Sequence, residues 1–291
     1  MALKAVLSIA VVIASISWAT TRVGAAQNSG TAQVIDSNTS SSIRSLLQQP
    51  LGNDEAYVWY LLHCGYAVRT GTKLLIFDYV RSTRDFPDTI SVPSLATGRI
   101  NPAEIGDLDV YVFVTHSHED HFDSIILNWQ KEVDRVTYIF GWQATDDTSH
   151  YHLVGPRASL QIGNMDIYTI NCLSGVPEVA YLIRTDGLTI FFQGDYKTDS
   201  IADLDYLLEQ CDSVDMAFLG SHTRRWGEAS TRILKIMARL KPEVVFPMHY
   251  GGREQAYKEF FEECKENGLE YLIECPEKPG DMFRYPRSSA P

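Results

Sequence analysis

The sequence predicts an α+β domain, and three observations carry that expectation. Short apolar runs rich in β-branched and aromatic residues, such as residues 110–114 (VYVFV) and 188–192 (LTIFF), have the length and composition of buried strands. Apolar residues at helical spacing lie between such runs. Several of the strand-like runs also stop at a side chain able to hold a metal, so the chemistry gathers at strand ends.

Along the chain, residues 1–26 combine Lys4, an uncharged stretch from Ala5 to Thr21 and the small residues Gly24, Ala25 and Ala26. That is the pattern of an export signal, so the mature protein is expected to be periplasmic or secreted. The apolar part falls short of the ~20 residues a spanning helix needs, and no membrane span is expected after its removal. Residues 27–50, rich in Ser, Thr, Asn and Gln, read as a flexible lead-in in which only Ile43, Leu46 and Leu47 could make a short packing helix. Residues 51–291 are expected to be one domain with a substantial core.

Within it, residues 57–65 and 74–78 read as strands around a hairpin turn at residues 69–72. Residues 110–114 form the next strand. Residues 122–133 then read as a helix starting at an Asp123 or Ser124 cap. Strands are expected at residues 179–183 and 188–192, and the apolar residues 216–219 can also reach a sheet edge. Ile233, Ile236, Met237 and Leu240 recur at helical spacing and stop at Lys241-Pro242, which defines a helix packed on a sheet. Residues 243–248 make another apolar run. Residues 253–267 form a last amphipathic helix ending before Gly268, followed by a strand at residues 269–274.

The strand at residues 110–114 leads into T-H-S-H-E-D-H-F-D, which places His116, His118, Asp120 and His121 within six positions. Two histidines separated by one residue in extended backbone project the same way. Asp120 and His121 follow in a turn and point differently, so one loop can serve two neighbouring cations. Imidazole suits zinc and similar borderline ions, and carboxylate adds charge and can move a proton. Four ligands do not suffice for two metals. Later strand ends supply more: the run at 188–192 stops at Gln193-Gly194-Asp195, and the run at 243–248 stops at His249-Tyr250-Gly251-Gly252.

These residues resemble the metallo-β-lactamase superfamily, whose signature is H-x-H-x-D-H followed by a distal His, an Asp after a Gly, and a last His. The likeness runs from Tyr57 to the C-terminus, and the opening strands look like the branch of ascorbate-phosphate lactonase-like enzymes. The resemblance implies a four-layer αββα sandwich with metals at one edge of two facing sheets. It further implies one cation held by His116, His118 and a distal ligand, another by Asp120, His121 and His249, and Asp195 bridging. The ions implied are one or two Zn2+, with Fe or Mn as alternatives.

One position departs from that pattern. No histidine occurs in residues 170–177, where the distal ligand should be, and alignment on Ser-Gly-Val-Pro puts Cys172 there. Thiolate is a good zinc ligand, whereas Asn171 and Ser174 offer only weak neutral oxygen. His63 and His222 follow apolar runs and could hydrogen-bond a developing oxyanion or hold a ligand in place. His150 and His152 look like another metal-type pair and read as a surface loop near the entrance.

Removal of the leader takes Lys4 and Arg22 with it and leaves 23 basic and 37 acidic side chains, a formal balance of −14. Such a chain repels polyanions, and no basic run with interleaved aromatics is present, so nucleic acid is not an expected partner. The expected partner is a small molecule. Five cysteines in an exported chain leave at least one unpaired; a metal-bound Cys172 with two disulfides would fit, as would a set of buried thiols. Three readings follow: a hydrolase of a small ester, lactone, amide or phosphodiester using metal-activated water, with Asp120 as proton shuttle; an iron redox enzyme; or a metal-binding protein without turnover. The oxygen-reducing branch of the superfamily usually has Glu at the position of His118, which disfavours the second.

Overall fold

The computed structural model describes residues 43–172, 175–197, 201–221, 228–269 and 272–286. The leader and residues 27–42 lie outside them. The chain forms two seven-stranded sheets. The first contains β1 (Glu55–Leu62), β2 (Gly65–Arg69), β3 (Lys73–Phe77), β4 (Asp109–Val114), β5 (Val136–Phe140) and β6 (His152–Leu153) in sequence order. The second runs from β7 (Ser159–Ile162) through β8 (Met165–Asn171), β9 (Val179–Thr185), β10 (Leu188–Phe192), β11 (Met216–Gly220) and β12 (Val244–Met248) to β13 (Leu272–Ile273). The last strand, β14 (Met282–Pro286), returns to the first sheet and pairs with β1.

Period-two alternation along the strands builds the layers. On β1, Val58 and Tyr60 face the core between the sheets, while Tyr57, Trp59 and Leu61 join an outer cluster. Phe77, Phe192, Phe218 and Phe246 fill the middle layer; the Phe77 and Phe192 rings stack at 4.7 Å and those of Phe218 and Phe246 at 5.1 Å. The outer face of the first sheet is covered by α1 (Ile43–Gln48), α2 (Pro102–Ile105) and a three-ten segment, Ser124–Lys131. Among the residues covering the second sheet are Leu204 and Leu207 of α3 (Ile201–Leu208), Met237 of α4 (Glu228–Leu240) and Phe260 of α5 (Gln255–Glu266). The fold is the expected four-layer αββα sandwich.

Three local expectations change. The first strand does not run through Gly65: the chain reverses at His63-Cys64, with His63 in the left-handed region at φ 57°. Residues 122–133 wind as a three-ten segment rather than an α-helix, capped by the Asp123 carboxylate, which accepts from the Ile125 amide. Neighbouring Ile125 and Ile126 and the weak helix former Asn128 disfavour a regular α-turn, and three-residue spacing still buries both Ile126 and Trp129. The five cysteines are free thiols, three of them buried, so the disulfide option gives way to the thiol one.

The topology explains the site. Strands β3 and β4 are parallel, with Phe77 opposite Phe113, and β10, β11 and β12 are parallel, with Ile190 opposite Met216 and Gly220 opposite Met248. Parallel strands deliver their C-terminal ends to one edge. Here that edge receives Asp78 after β3, residues 115–121 after β4, Asp195 after β10 and His249 after β12.

Candidate metal centre

At this edge the backbone is bent to bring side chains together. His63, Asp78 and His249 all have positive φ, at 57°, 38° and 82°. A non-glycine residue there costs about 1–2 kcal/mol, a cost that structures keep where a side chain must be aimed. Gly194, at φ 56°, precedes Asp195; a Cβ on it would meet Thr115 Cγ2 at 2.8 Å. Gly251 lies so close to His63 that a Cβ would meet its Cα at 2.9 Å. The two sheets therefore approach each other across glycines.

The side chains converge accordingly. His116 Nε2 stands 2.8 Å from His118 Nδ1. His121 Nε2 and His249 Nε2 lie 3.4 and 2.9 Å from the same oxygen of Asp195. Donor atoms of His116, His121 and Asp195 all lie within 4.8 Å of one another. Asp120 Oδ2 lies 3.4 Å from His63 Nε2. His63, His118, Asp120, His249, Tyr250 and Arg253 line a cleft of 1120 Å³ at this edge.

Buried partners fix the rings. Asp78 is fully buried and accepts from the Thr115 amide at 2.7 Å, the Thr115 hydroxyl at 2.7 Å and His121 Nδ1 at 2.7 Å. That fixes the ring with Nε2 towards Asp195; burial alone would lower its pKa, but Cys64, Asp78 and Asp195 raise it well above the ordinary value. The Thr115 hydroxyl, which donates to Asp78, accepts from His116 Nδ1 at 3.0 Å; Glu178 Oε1 stands beside it, 3.2 Å from the same nitrogen, and accepts the Asp195 amide at 2.8 Å. His63 Nδ1 accepts from the Gly251 amide at 3.1 Å.

Charge follows geometry. Burial, followed by the His121 ring, pushes His116 down to about 3, so it is a neutral imidazole at ordinary pH. Burial also lowers His63. Burial alone would raise Asp195, yet hydrogen bonds from His121 and His249 hold it far below the usual carboxylate range. Asp120 is held down in the same way, against burial, by His63, His121 and His249. Neutral His116 and ionised Asp120 and Asp195 are protonation states that bind divalent ions, and His121, held protonated between carboxylates, would release its Nε2 proton on binding one. The residues present thus fit the metals that the resemblance implies.

His116, His118, Asp120, His121, Asp195, His249 and His63 are therefore gathered at one edge. Cys172 is not among the converging donors: it lies behind them, near Glu178, and packs with Ile170, Phe191 and Tyr196 in the cluster beneath the outer helices. Its thiol faces the Gln193 carbonyl at 3.8 Å, and burial raises its pKa well above the ordinary value. His222 lies outside the described residues, as do Ser174, Arg224 and Arg225. His150 and His152 are exposed, with His150 Nε2 3.3 Å from Asp147. Asp78, Glu178 and Thr115 were not singled out from sequence. The signals were present: Asp78 ends a strand run, and Glu178 directly precedes another at the place where the distal ligand was sought.

Known proteins agree with this geometry. The family model described as the beta-lactamase superfamily domain matches residues 57–249. Among solved structures, the fold is similar to Igni18, a metallo hydrolase from Ignicoccus hospitalis, with TM-score 0.58 and 15% identity over 80% of this chain and 100% of that one. It is similar to CmlA, a diiron beta-hydroxylase from Streptomyces venezuelae, with TM-score 0.55 and 15% identity over 82% of this chain and 55% of that one. It is also similar to an isothiocyanate hydrolase from Delia radicum gut bacteria, with TM-score 0.53 and 14% identity over 78% and 98%. No curated protein matches the sequence. The match over residues 57–249, together with two facing sheets and ligand-type residues at their common edge, makes this chain a member of the metallo-β-lactamase superfamily.

Proposed function

We propose that the protein is an exported metal-dependent hydrolase of a small ester, lactone, amide or phosphodiester. The observation that carries the reading is the convergence of His116, His118, His121, Asp195 and His249 at the edge of the cleft. His116 and His118 would hold one divalent cation, and His121, His249 and Asp120 a second, with Asp195 between them. When bound, such ions lower the pKa of water towards ~7 and polarise the scissile group.

The chain's own groups do the rest. Asp120 is ionised and borders the cleft, so its carboxylate accepts the proton of the attacking water and returns it to the leaving group. With Nδ1 accepting from Gly251, the neutral His63 ring carries its proton on Nε2, towards Asp120. Asp78 and the Thr115 hydroxyl hold the Nδ1 atoms of His121 and His116 and so orient both rings. Arg253, paired with Asp85 at 3.0 Å and over the Tyr250 ring at 5.5 Å, forms an ion-paired rim of the cleft.

Asp120→Asn keeps shape and hydrogen bonds but removes the proton acceptor. Assayed on lactone, phosphodiester and β-lactam substrates, it is expected to lose about 10³-fold in kcat with circular dichroism unchanged. Full activity of that variant refutes the assignment. One observation favours a second reading: Asp120 and Asp195 place two ionised carboxylates among the imidazoles, and donor sets that include oxygen accept iron and manganese. CmlA, of similar fold, is described as a diiron hydroxylase. Metal analysis separates the two readings, since zinc supports hydrolysis and iron supports redox chemistry.

A further inference from the structure

Cys64 has no part in the site as derived so far, yet it is fully buried against it. It occupies the reversal between β1 and β2, next to His63. Its Sγ lies 3.8 Å from His121 Nε2. Donor atoms of His63, Cys64, His121 and His249 all lie within 4.8 Å of one another. The His63 ring borders this group, with its Nε2 3.4 Å from Asp120 Oδ2. The imidazoles of His121 and His249 and this thiol, drawn from three separate strand ends, make a donor set of the zinc type.

We propose that Cys64 supplies a thiolate to the cation held by His121 and His249. The inference rests on the metal-dependent reading above and goes beyond it, because it adds a soft sulfur donor to the second position. The spacing is close to what coordination needs: zinc–sulfur and zinc–nitrogen bonds of about 2.3 and 2.0 Å in a tetrahedron put sulfur and nitrogen about 3.5 Å apart. On binding, sulfur donates a lone pair to the cation and the thiol proton leaves to solvent. His63 is not the added ligand, since its Nδ1 accepts the Gly251 amide and its Nε2 therefore carries the proton when neutral. Cys172 is not the source either, being buried in the helix-side cluster.

A thiolate at one position and carboxylate neighbours at the other would make the two positions unequal. The Cys64 position would prefer zinc, cobalt and cadmium, whereas the His116 position, with Glu178 nearby, would tolerate harder ions.

Cobalt(II) titration of the full-length protein, of Cys64→Ser and of Cys172→Ser tests the proposal. Wild type and Cys172→Ser are expected to develop a near-ultraviolet thiolate-to-cobalt charge-transfer band. Cys64→Ser is expected to lack it and to bind cobalt about tenfold or more weakly at that position. Because Cys64 is buried and its replacement can disturb folding, zinc-edge X-ray absorption on the wild type gives the second readout: a sulfur shell at about 2.3 Å. Metal bound with neither band nor sulfur shell overturns the thiolate and leaves the metal-dependent reading standing. No metal bound at all overturns both.

Discussion

The two ends of the sandwich use the same materials to opposite effect. At the cleft edge, Asp195 follows β10 and Asp78 follows β3; at the far edge, Asp186 precedes β10 and Lys73 opens β3. Five-residue strands separate these ends by roughly 17 Å. Both ends hold a carboxylate far below its usual range. Burial alone would raise Asp186, but the Thr70 hydroxyl at 2.6 Å, Lys73 Nζ at 3.0 Å and the Thr72 amide at 2.9 Å outweigh it. Asn164 adds a further donor at 3.2 Å. The partners of Asp186 are a fixed cation and neutral donors, so the network closes upon itself and ties one sheet to the other. Asp195 also has a lysine partner, Lys197 at 3.0 Å, but that side chain is half-exposed, and the other Asp195 oxygen faces the imidazole nitrogens of His121 and His249, which are donors of the metal-ligand type. One end is a closed latch; the other is a set of ligand-type side chains open to a cleft.

The comparison can be broken from either side. The largest expected effect is on turnover, where Asp120→Asn at the cleft loses about three orders of magnitude while the far edge is untouched. Next comes stability. Asp186→Ala leaves the buried Lys73 without its partner and is expected to cost about 3–5 kcal/mol, read as a fall in Tm, with metal content unchanged. The pH dependence sharpens this. Because the folded pKa of Asp186 is depressed, its stabilisation is fully present above the unfolded value of about 3.9 and is lost as pH falls through the folded value. The gap between wild type and Asp186→Asn should therefore be constant from pH 7 to 5 and close below pH 4; a gap that widens in acid contradicts the latch.

Smaller effects follow at the positions that orient or merely pack. Glu178→Gln keeps the shape but weakens the hold on His116 Nδ1 and the Asp195 amide, and should lower metal affinity about 10- to 100-fold in an equilibrium titration. Cys172→Ala removes one buried sulfur from an apolar cluster. It is expected to cost about 1 kcal/mol of stability in urea titration and to leave metal stoichiometry as in wild type.

Sequence pattern made the fold class and the gathering edge legible for a physical reason. The runs ending at Asp195 and His249 are short, apolar and followed by glycine, and parallel strands must all end on the same side. The histidine loop is local, so its spacing alone carries its chemistry. Less legible was whatever depends on contacts distant in sequence. Glu178 acts through His116 and the Asp195 amide, and nothing in its neighbours announces either contact. Cys172 aligned with the expected ligand position but turns to the opposite face of the second sheet, an alternation that a one-residue shift reverses. The reversal at His63-Cys64 was hidden because a left-handed histidine replaces the glycine that marks most turns. Strand β14 pairs with β1 over 200 residues away, which no local pattern encodes.

The most direct test is metal content, measured by inductively coupled plasma mass spectrometry on wild type, Asp195→Ala and Asp186→Ala after identical purification and dialysis. Two divalent ions per chain are expected in wild type and in Asp186→Ala, with Asp195→Ala losing at least one of them. Equal metal content in all three proteins, or loss from Asp186→Ala alone, would contradict the assignment of the cleft edge as the coordination shell.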